Sequence, residues 1–262
     1  MSMPESQNEK MELKEIVAQK WDLASENFDS HAGHGIQSEE EKEAWKNVFQ
    51  KVLPEKGLRI LDVGCGTGEL SLLLAEMGHN VTGLDLSKKM LEIARNKTEA
   101  RKLAATFECG DAEKPPFEAT SFDVVLNRHL LWTLPNPEVA VKNWGRVLRK
   151  GGKVIIIDGV WDDGSLEPRL RRLTGEVVTL VLERKNPRKG HCEYSKELKA
   201  QLPNAGGTPP EKVKEYMQNS GFKNISMLGL KEIADIQKKT MPLGAKIVFH
   251  YNYYLISGCK QA

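Results

Sequence analysis

The sequence predicts a doubly wound α/β fold: a mostly parallel seven-stranded sheet with one antiparallel edge strand and a helical cap. Three observations carry this. Short apolar runs alternate with helical runs from Leu58 to Asp158. The first apolar run enters a glycine turn and passes straight into a helical stretch, the start of a βαβ unit. The order helix, strand, strand after residue 209 adds an antiparallel strand to the five parallel ones expected by Asp158.

Taken in order, residues 1–50 read as a helical region, broken at His31-Ala32-Gly33-His34-Gly35, where glycines interrupt the periodicity. Ser38 followed by Glu39, Glu40 and Glu41 forms an N-cap with a capping-box acid and opens a helix through Trp45 and Phe49. Pro54-Glu55-Lys56-Gly57 punctuates the chain before the strand 58–63, the helix 69–77 and the strand 80–84. Ser87 caps a helix running to Arg101, and strands are expected at 105–109 and 122–126. Pro137 opens the next helix, which Gly151-Gly152 is expected to stop before the strand 153–158. A charged stretch follows, with a helix over 167–182 and a Gly- and Pro-bearing segment over 202–210. A helix over 210–220 and strands at 224–229 and 245–256 complete the chain. The expected divisions are an N-terminal helical cap region (1–50), a core (51–160), a cap insertion (161–208) and a segment completing the sheet (209–262).

Composition narrows the function. The chain has 262 residues, 40% hydrophobic and 28% charged, enough for one elaborated domain with a real core. Its 38 Lys and Arg nearly cancel 36 Asp and Glu, so it lacks the basic footprint of a nucleic-acid binder, and no nucleic-acid partner is expected. No run approaches the roughly 18 apolar residues of a membrane span. The opening MSMPESQNEKMELKE is polar where a secretory signal is apolar, so a cytoplasmic location and no membrane association are expected. Cys65, Cys109, Cys192 and Cys259 are scattered without a C-x-x-C pair, which points away from disulfides and cysteine-built zinc sites.

The informative turn is Asp62-Val63-Gly64-Cys65-Gly66-Thr67-Gly68. Alternate glycines let the backbone bend tightly and let a ligand lie against main-chain amides at a helix N-terminus. A dinucleotide turn would continue to a third glycine where this chain has Glu69, whose carboxylate would repel a pyrophosphate. A ligand without phosphates fits better, and S-adenosylmethionine is one. Asp85, about 20 residues on at the end of the second strand, is placed to accept from ribose hydroxyls. Asp111, after the third strand, can accept from an adenine amine.

The stretch from Ile60 to Asp158 resembles the class I S-adenosylmethionine-dependent methyltransferases, in particular the methyltransferase-11-like small-molecule group, whose sheet is Rossmann-like. The resemblance rests on residues 60–68, on Gly83-Leu84-Asp85-Leu86-Ser87 with Met90-Leu91, on Gly110-Asp111-Ala112, on Phe122-Asp123-Val124-Val125 and on residues 146–152. It implies S-adenosylmethionine as cofactor and a small-molecule acceptor. Asp62, Gly64, Cys65, Gly66, Thr67 and Gly68 would hold the methionine part, with Asp62 near its ammonium. Asp85 would bind the ribose, Leu86 would pack on the adenine, and Asp111 with Ala112 would read its edge. Asn127, directly after the fourth strand, would supply a backbone contact near the sulfonium. Arg128 and His129 would face the acceptor as the catalytic pair. Where nitrogen- and DNA-methylating relatives carry an Asn-Pro-Pro-Tyr type signature, this chain has Asn127-Arg128-His129-Leu130, which argues against a nucleobase acceptor.

His129 is the expected general base, because imidazole titrates near neutrality; a structural histidine at a strand end is the competing reading. His34 with the glycines around it is expected in a loop that closes over substrate, and Trp132 and Trp161, after the fourth and fifth strands, are expected to line the acceptor site. Trp21, Phe28 and Trp45 fit either that pocket or the core. Cys65 is read as a small residue tolerated by the turn. A metal held by His31, His34, His191 and Cys192 is an alternative to a mobile loop, and no metal is the expectation. The basic run Arg169, Arg171, Arg172, Arg184, Lys185, Arg188 and Lys189 is read as a solvated face or as an attractor for an anionic acceptor. A non-catalytic S-adenosylmethionine-binding module and an NAD-dependent oxidoreductase are the rival functions, and the protein is expected to be a monomer or homodimer.

Overall fold

The computed structural model describes residues 5–31, 33–184, 186, 194–249 and 253–261. Seven strands form one sheet: β1 (Arg59–Val63), β2 (Asn80–Asp85), β3 (Ala105–Cys109), β4 (Phe122–Arg128), β5 (Leu148–Asp158), β6 (Phe222–Gly229) and β7 (Tyr254–Lys260), in the order β3-β2-β1-β4-β5-β7-β6. The first five are parallel; the expected antiparallel strand is β7, which runs against both β5 and β6 and lies one place in from the edge.

Period-two alternation sends neighbouring side chains to opposite faces, and both faces here are covered. Leu61, Val63, Val125, Val154 and Ile156 face one cluster with Trp144, Met217 and Tyr254. Ile60, Val124, Leu126, Ile155 and Ile157 face the other with Trp45, Phe49 and Leu73. Each of these side chains is essentially fully buried, a burial that stabilises by about 1.5–3 kcal/mol per large aliphatic residue.

The helices are α1 (Glu5–Ala24), α2 (Glu39–Val52), α3 (Glu69–Glu76), α4 (Lys88–Arg101), α5 (Pro137–Val147), α6 (Leu166–Val181), α7 (Lys196–Ala200), α8 (Pro210–Asn219), α9 (Lys231–Thr240) and α10 (Leu243–Val248). Both predicted serine caps form: Ser38 accepts from the Glu41 amide and Ser87 from the Met90 amide. The Glu41 carboxylate reaches back to the Gln37 amide at 2.9 Å, one residue before the cap.

Three expectations need correction. Residues 245–256 are not one strand: 243–248 form α10, β7 starts only at Tyr254, and α9 precedes both. The glycines at 151 and 152 do not end a helix. They lie inside β5, where the β4–β5 register shifts, and a Cβ on Gly152 would come within 3.0 Å of the Asp123 carbonyl. β4 runs two residues further than expected, so Asn127 is inside the strand and wholly buried.

A separate cluster joins the amino-terminal helix to the 194–205 stretch: Leu13 and Val17 of α1 pack with Tyr194, Leu198 and Leu202, against Trp21 and Trp132. Among the described residues no helix is long and apolar enough to cross a membrane.

Candidate active site

The strand order reverses between β1 and β4, and in open α/β sheets the crevice at the carboxyl ends of such strands is where ligands bind. A pocket partly open to solvent occupies that crevice.

Its floor is the glycine turn. The amides of Gly64 and Cys65 both donate to the Leu84 carbonyl, at 2.7 and 3.1 Å, which pins the turn to β2. Gly64 adopts φ +69°, and a Cβ there would sit 2.6 Å from Leu130 Cδ1, so only glycine fits between the turn and the β4 exit. Gly64, Cys65, Gly66, Asp62, Asp85, Leu86, Asp111 and Ala112 all line the pocket. Thr67 and Gly68 do not: the Thr67 hydroxyl donates to Asp29 at 2.5 Å, and Gly68 packs beneath the turn on Ala94 and Phe107 as the N-cap of α3.

The carboxylates are held unequally. Asp85 accepts from the Gly66 and Ser87 amides at 2.9 and 2.8 Å, yet burial still holds its pKa above the ordinary value. Burial pushes Asp62 up to about 6, against the opposing hydrogen bond from Ser71 and the nearby Arg128 charge. Burial also raises the Cys65 thiol well above its usual value, with Asp85 and Asp62 adding to the shift, the reverse of what an activated nucleophile needs. Asp111 receives Lys14 of α1 at 2.8 Å and the Glu113 amide at 2.8 Å. Lys14 also bridges to Glu113 at 2.7 Å. Nothing in the local sequence signalled Lys14, because its partners lie 97 and 99 residues away.

The opposite wall comes from the end of β4 and the amino-terminal segment. His34, Arg128, His129 and Trp132 line the pocket, as do Trp21 and Phe28. Trp45 does not: it is fully buried in the core, with the Arg128 guanidinium 5.9 Å above its ring. Arg128 Nη2 donates to the His34 carbonyl, while Nη1 is buried and has no hydrogen-bond partner among the described residues. Trp161 stands behind the wall, 5.4 Å from Trp132 and 6.0 Å from His129 between ring centroids. Asn127 does not line the pocket, and both polar atoms of its side chain are buried without a hydrogen-bond partner among the described residues.

His129 is held in an uncommon conformation, φ +55°, by its amide bond to the Ile157 carbonyl at 2.9 Å. Its ring stacks on Tyr253, whose hydroxyl lies 2.8 Å from Nε2, and Nδ1 lies 3.5 Å from the fully buried Asp158 carboxylate. Nδ1 itself makes no hydrogen bond among the described residues, so the Tyr253 hydroxyl at Nε2 is the ring's hydrogen-bond partner. Neither Asp158 nor Tyr253 was singled out by sequence: they come from the ends of β5 and β7, 29 and 124 residues away.

His31 and His34 sit with ring centroids 6.3 Å apart, and the described residues contain no group of three or more side chains placed to hold a metal. His191 and Cys192, the other half of the metal alternative, lie outside the described residues. Of the basic run, Arg171 pairs with Glu167 and Arg172 with Glu176 on α6, away from the pocket. Lys185, Arg188 and Lys189 lie outside the described residues.

Residues 61–156 match a family model described as a methyltransferase domain. Over 99 residues, 38% of this chain, the sequence is 38% identical to a ubiquinone biosynthesis O-methyltransferase of Coxiella burnetii, of which it covers 42%. Over 55% of this chain it is 36% identical to a demethylmenaquinone methyltransferase of Staphylococcus aureus, of which it covers 61%. The match thus spans about half the length of these curated relatives. Among solved structures, the fold resembles phosphoethanolamine N-methyltransferase 2 of Haemonchus contortus, in complex with phosphomonomethylethanolamine and S-adenosylhomocysteine. That likeness has a TM-score of 0.66 at 20% identity and covers 95% of this chain and 60% of that one.

Proposed function

We propose, from the premise that this chain belongs to the class I S-adenosylmethionine-dependent methyltransferases, that it moves a methyl group from S-adenosylmethionine to a small, flat, apolar acceptor carrying an ionisable hydroxyl. One observation carries this reading: a single pocket joins the glycine turn, Asp85 and Asp111 on one side to His129 and a tryptophan-lined wall on the other. Ubiquinone- and menaquinone-pathway names among the relatives agree with an aromatic acceptor.

The residues fit the donor. Asp62, beside Arg128, is a buried anion for an ammonium, and Arg128 Nη1 is a buried donor awaiting an anion, so the two together complement an amino-acid zwitterion. Arg128, expected from sequence to face the acceptor, is therefore assigned to the donor's carboxylate. Asp85 keeps lone pairs for ribose hydroxyls while its two amide bonds fix its rotamer. The Asp111 carboxylate must share Lys14 with Glu113 or release it to meet an adenine amine. When bound, S-adenosylmethionine supplies a methyl group on a sulfonium, an electrophile that needs no further activation.

The protein's task is then to hold the acceptor in line, exclude water and take one proton. His129 Nε2 takes the acceptor's hydroxyl proton in place of the one shared by Tyr253, and Asp158 at Nδ1 stabilises the imidazolium that results. Trp21, Phe28 and Trp132 supply apolar walls for a ring. The helices of residues 1–50 and the 161–208 insertion, which meet around Trp21, Trp132 and Tyr194, serve as the acceptor cap.

The test is calorimetric titration with S-adenosylmethionine and S-adenosylhomocysteine, followed by turnover on a panel of catechols and hydroquinones. Donor binding with methylated product supports the reading. Donor binding without turnover on any acceptor favours a regulatory module, and binding of NAD in its place refutes it.

A further inference from the structure

Helix α6 carries its large apolar side chains on the wrong side for a helix that merely packs on its own domain. Leu166, Leu170, Leu173, Val177 and Leu180 recur at alternating intervals of four and three, the 3.5-residue repeat of a coiled-coil seam. All five are between 59% and 72% exposed. The opposite face is the one docked on the protein, and it does so through small residues. A Cβ on Gly175 would lie 2.4 Å from Val248 and 2.8 Å from the Gly244 carbonyl, and one on Gly244 would lie 2.0 Å from the Thr179 hydroxyl. Of the fourteen large apolar side chains exposed among the described residues, seven fall within 166–182, so this is a patch and not scatter.

We propose that this seam is a homodimer contact, in which α6 pairs antiparallel with α6 of a second copy of the chain about a two-fold axis. Antiparallel pairing sets Leu170 against the second copy's Leu173 and Leu166 against its Val177, and symmetry repeats each layer. The flanking charges then become complementary. Arg169 falls within two residues, about 3 Å along the axis, of the second copy's Glu176, which keeps its pairing with Arg172 of its own helix and gains a second cation, and the same pair recurs on the other side of the axis. Parallel pairing loses this, because Arg169 would face Thr174 and Glu176 would face Val181. The flanks are mixed in sign, Arg169 and Arg172 beside Glu167 and Glu176, and do not form the run of cations that binds an anionic lipid surface.

The experiment is sedimentation velocity on the full chain across a wide concentration range, with circular dichroism melts as the folding control. The wild type is expected to be dimeric with a concentration-dependent melt, and the Leu170→Glu/Leu173→Glu variant monomeric, folded by its circular dichroism spectrum, with a melt independent of concentration. Arg169→Glu alone should weaken the dimer roughly tenfold by facing two acids across the seam, and Arg169→Glu/Glu176→Arg should restore it. A wild type that stays monomeric, a dimer that survives the leucine substitutions, or a double reversal that fails to rescue each overturns the proposal. So does co-sedimentation of a monomeric wild type with phosphatidylglycerol vesicles.

Discussion

The two walls of the pocket are built in opposite ways. The proposed donor wall is local: the glycine turn, Asp85 and Asp111 each stand at the carboxyl end of a consecutive strand, and the strands carry them there in chain order. The proposed acceptor wall is assembled at long range. His129 gains its geometry from Asp158 and Tyr253 on β5 and the approach to β7, and its roof from Trp21 and Phe28 near the amino end. The difference teaches that one wall is set by residues close together in the chain, whereas the other exists only once distant segments have packed together.

The largest expected effect would split the two walls. His129→Gln should lower kcat by about 10²–10⁴-fold, the range for loss of a general base, while S-adenosylhomocysteine affinity stays within twofold of wild type. Calorimetry beside single-turnover kinetics checks this, and a parallel loss of donor affinity would mean the walls are one unit. Asp158→Asn should show a smaller kcat loss, since a neutral amide lies beside Nδ1 in place of the carboxylate.

Next comes the reciprocal case. Gly64→Ala should weaken donor binding by roughly 100-fold and lower the melting temperature, because the new methyl collides with Leu130 and the positive φ disfavours any side chain. Donor titration and a thermal melt read both; retention of full affinity would remove the turn from the donor site.

Smaller, and opposite in sign for binding and stability, is the response of Asp62. With its pKa at about 6 in the free protein, donor affinity should be flat above neutrality and fall about tenfold per pH unit below 6, as the carboxyl takes a proton and can no longer pair with an ammonium. The free fold shows the other sign. A carboxyl whose pKa is raised by folding adds stability that is complete below the ordinary carboxylate value and lost as pH rises through 6. Asp62→Asn should therefore raise the melting temperature of the free protein at pH 7 and abolish the pH dependence of donor binding. A variant that melts earlier, or keeps the pH dependence, would show that another group titrates.

The smallest effect sharpens the acceptor wall. Trp161→Phe, one ring behind the pocket, should raise the acceptor KM severalfold through the edge contacts to Trp132 and His129 and leave kcat nearly unchanged. A change in kcat equal to that of His129→Gln would place Trp161 at the chemistry itself.

Local chemistry made much of the fold legible. The Ser38 and Ser87 caps, the strand 105–109 and the glycine turn all follow from residues that are neighbours in the chain. Reading failed where two local signals compete. Gly151-Gly152 looks like a helix stop, yet the pair serves a bulge: Gly151 adopts φ +70°, and Gly152 lies too close to the Asp123 carbonyl of β4 for a Cβ. The apolar residues of 245–256 look like one strand, yet α10 takes the first of them, and α9, with Ile233 and Ile236 turned into the core, was missed altogether.

The sequence by itself determined the parallel core and the glycine turn beside Asp85, since capping, glycine backbone freedom and the spacing from turn to Asp85 are short-range properties of the chain. Only the tertiary structure decided that Lys14 closes on Asp111, that Asp158 and Tyr253 bracket His129, and that α6 keeps its leucines outward. Those outcomes depend on which surfaces the folded chain leaves facing one another, a matter of three-dimensional packing that neither periodicity nor spacing encodes.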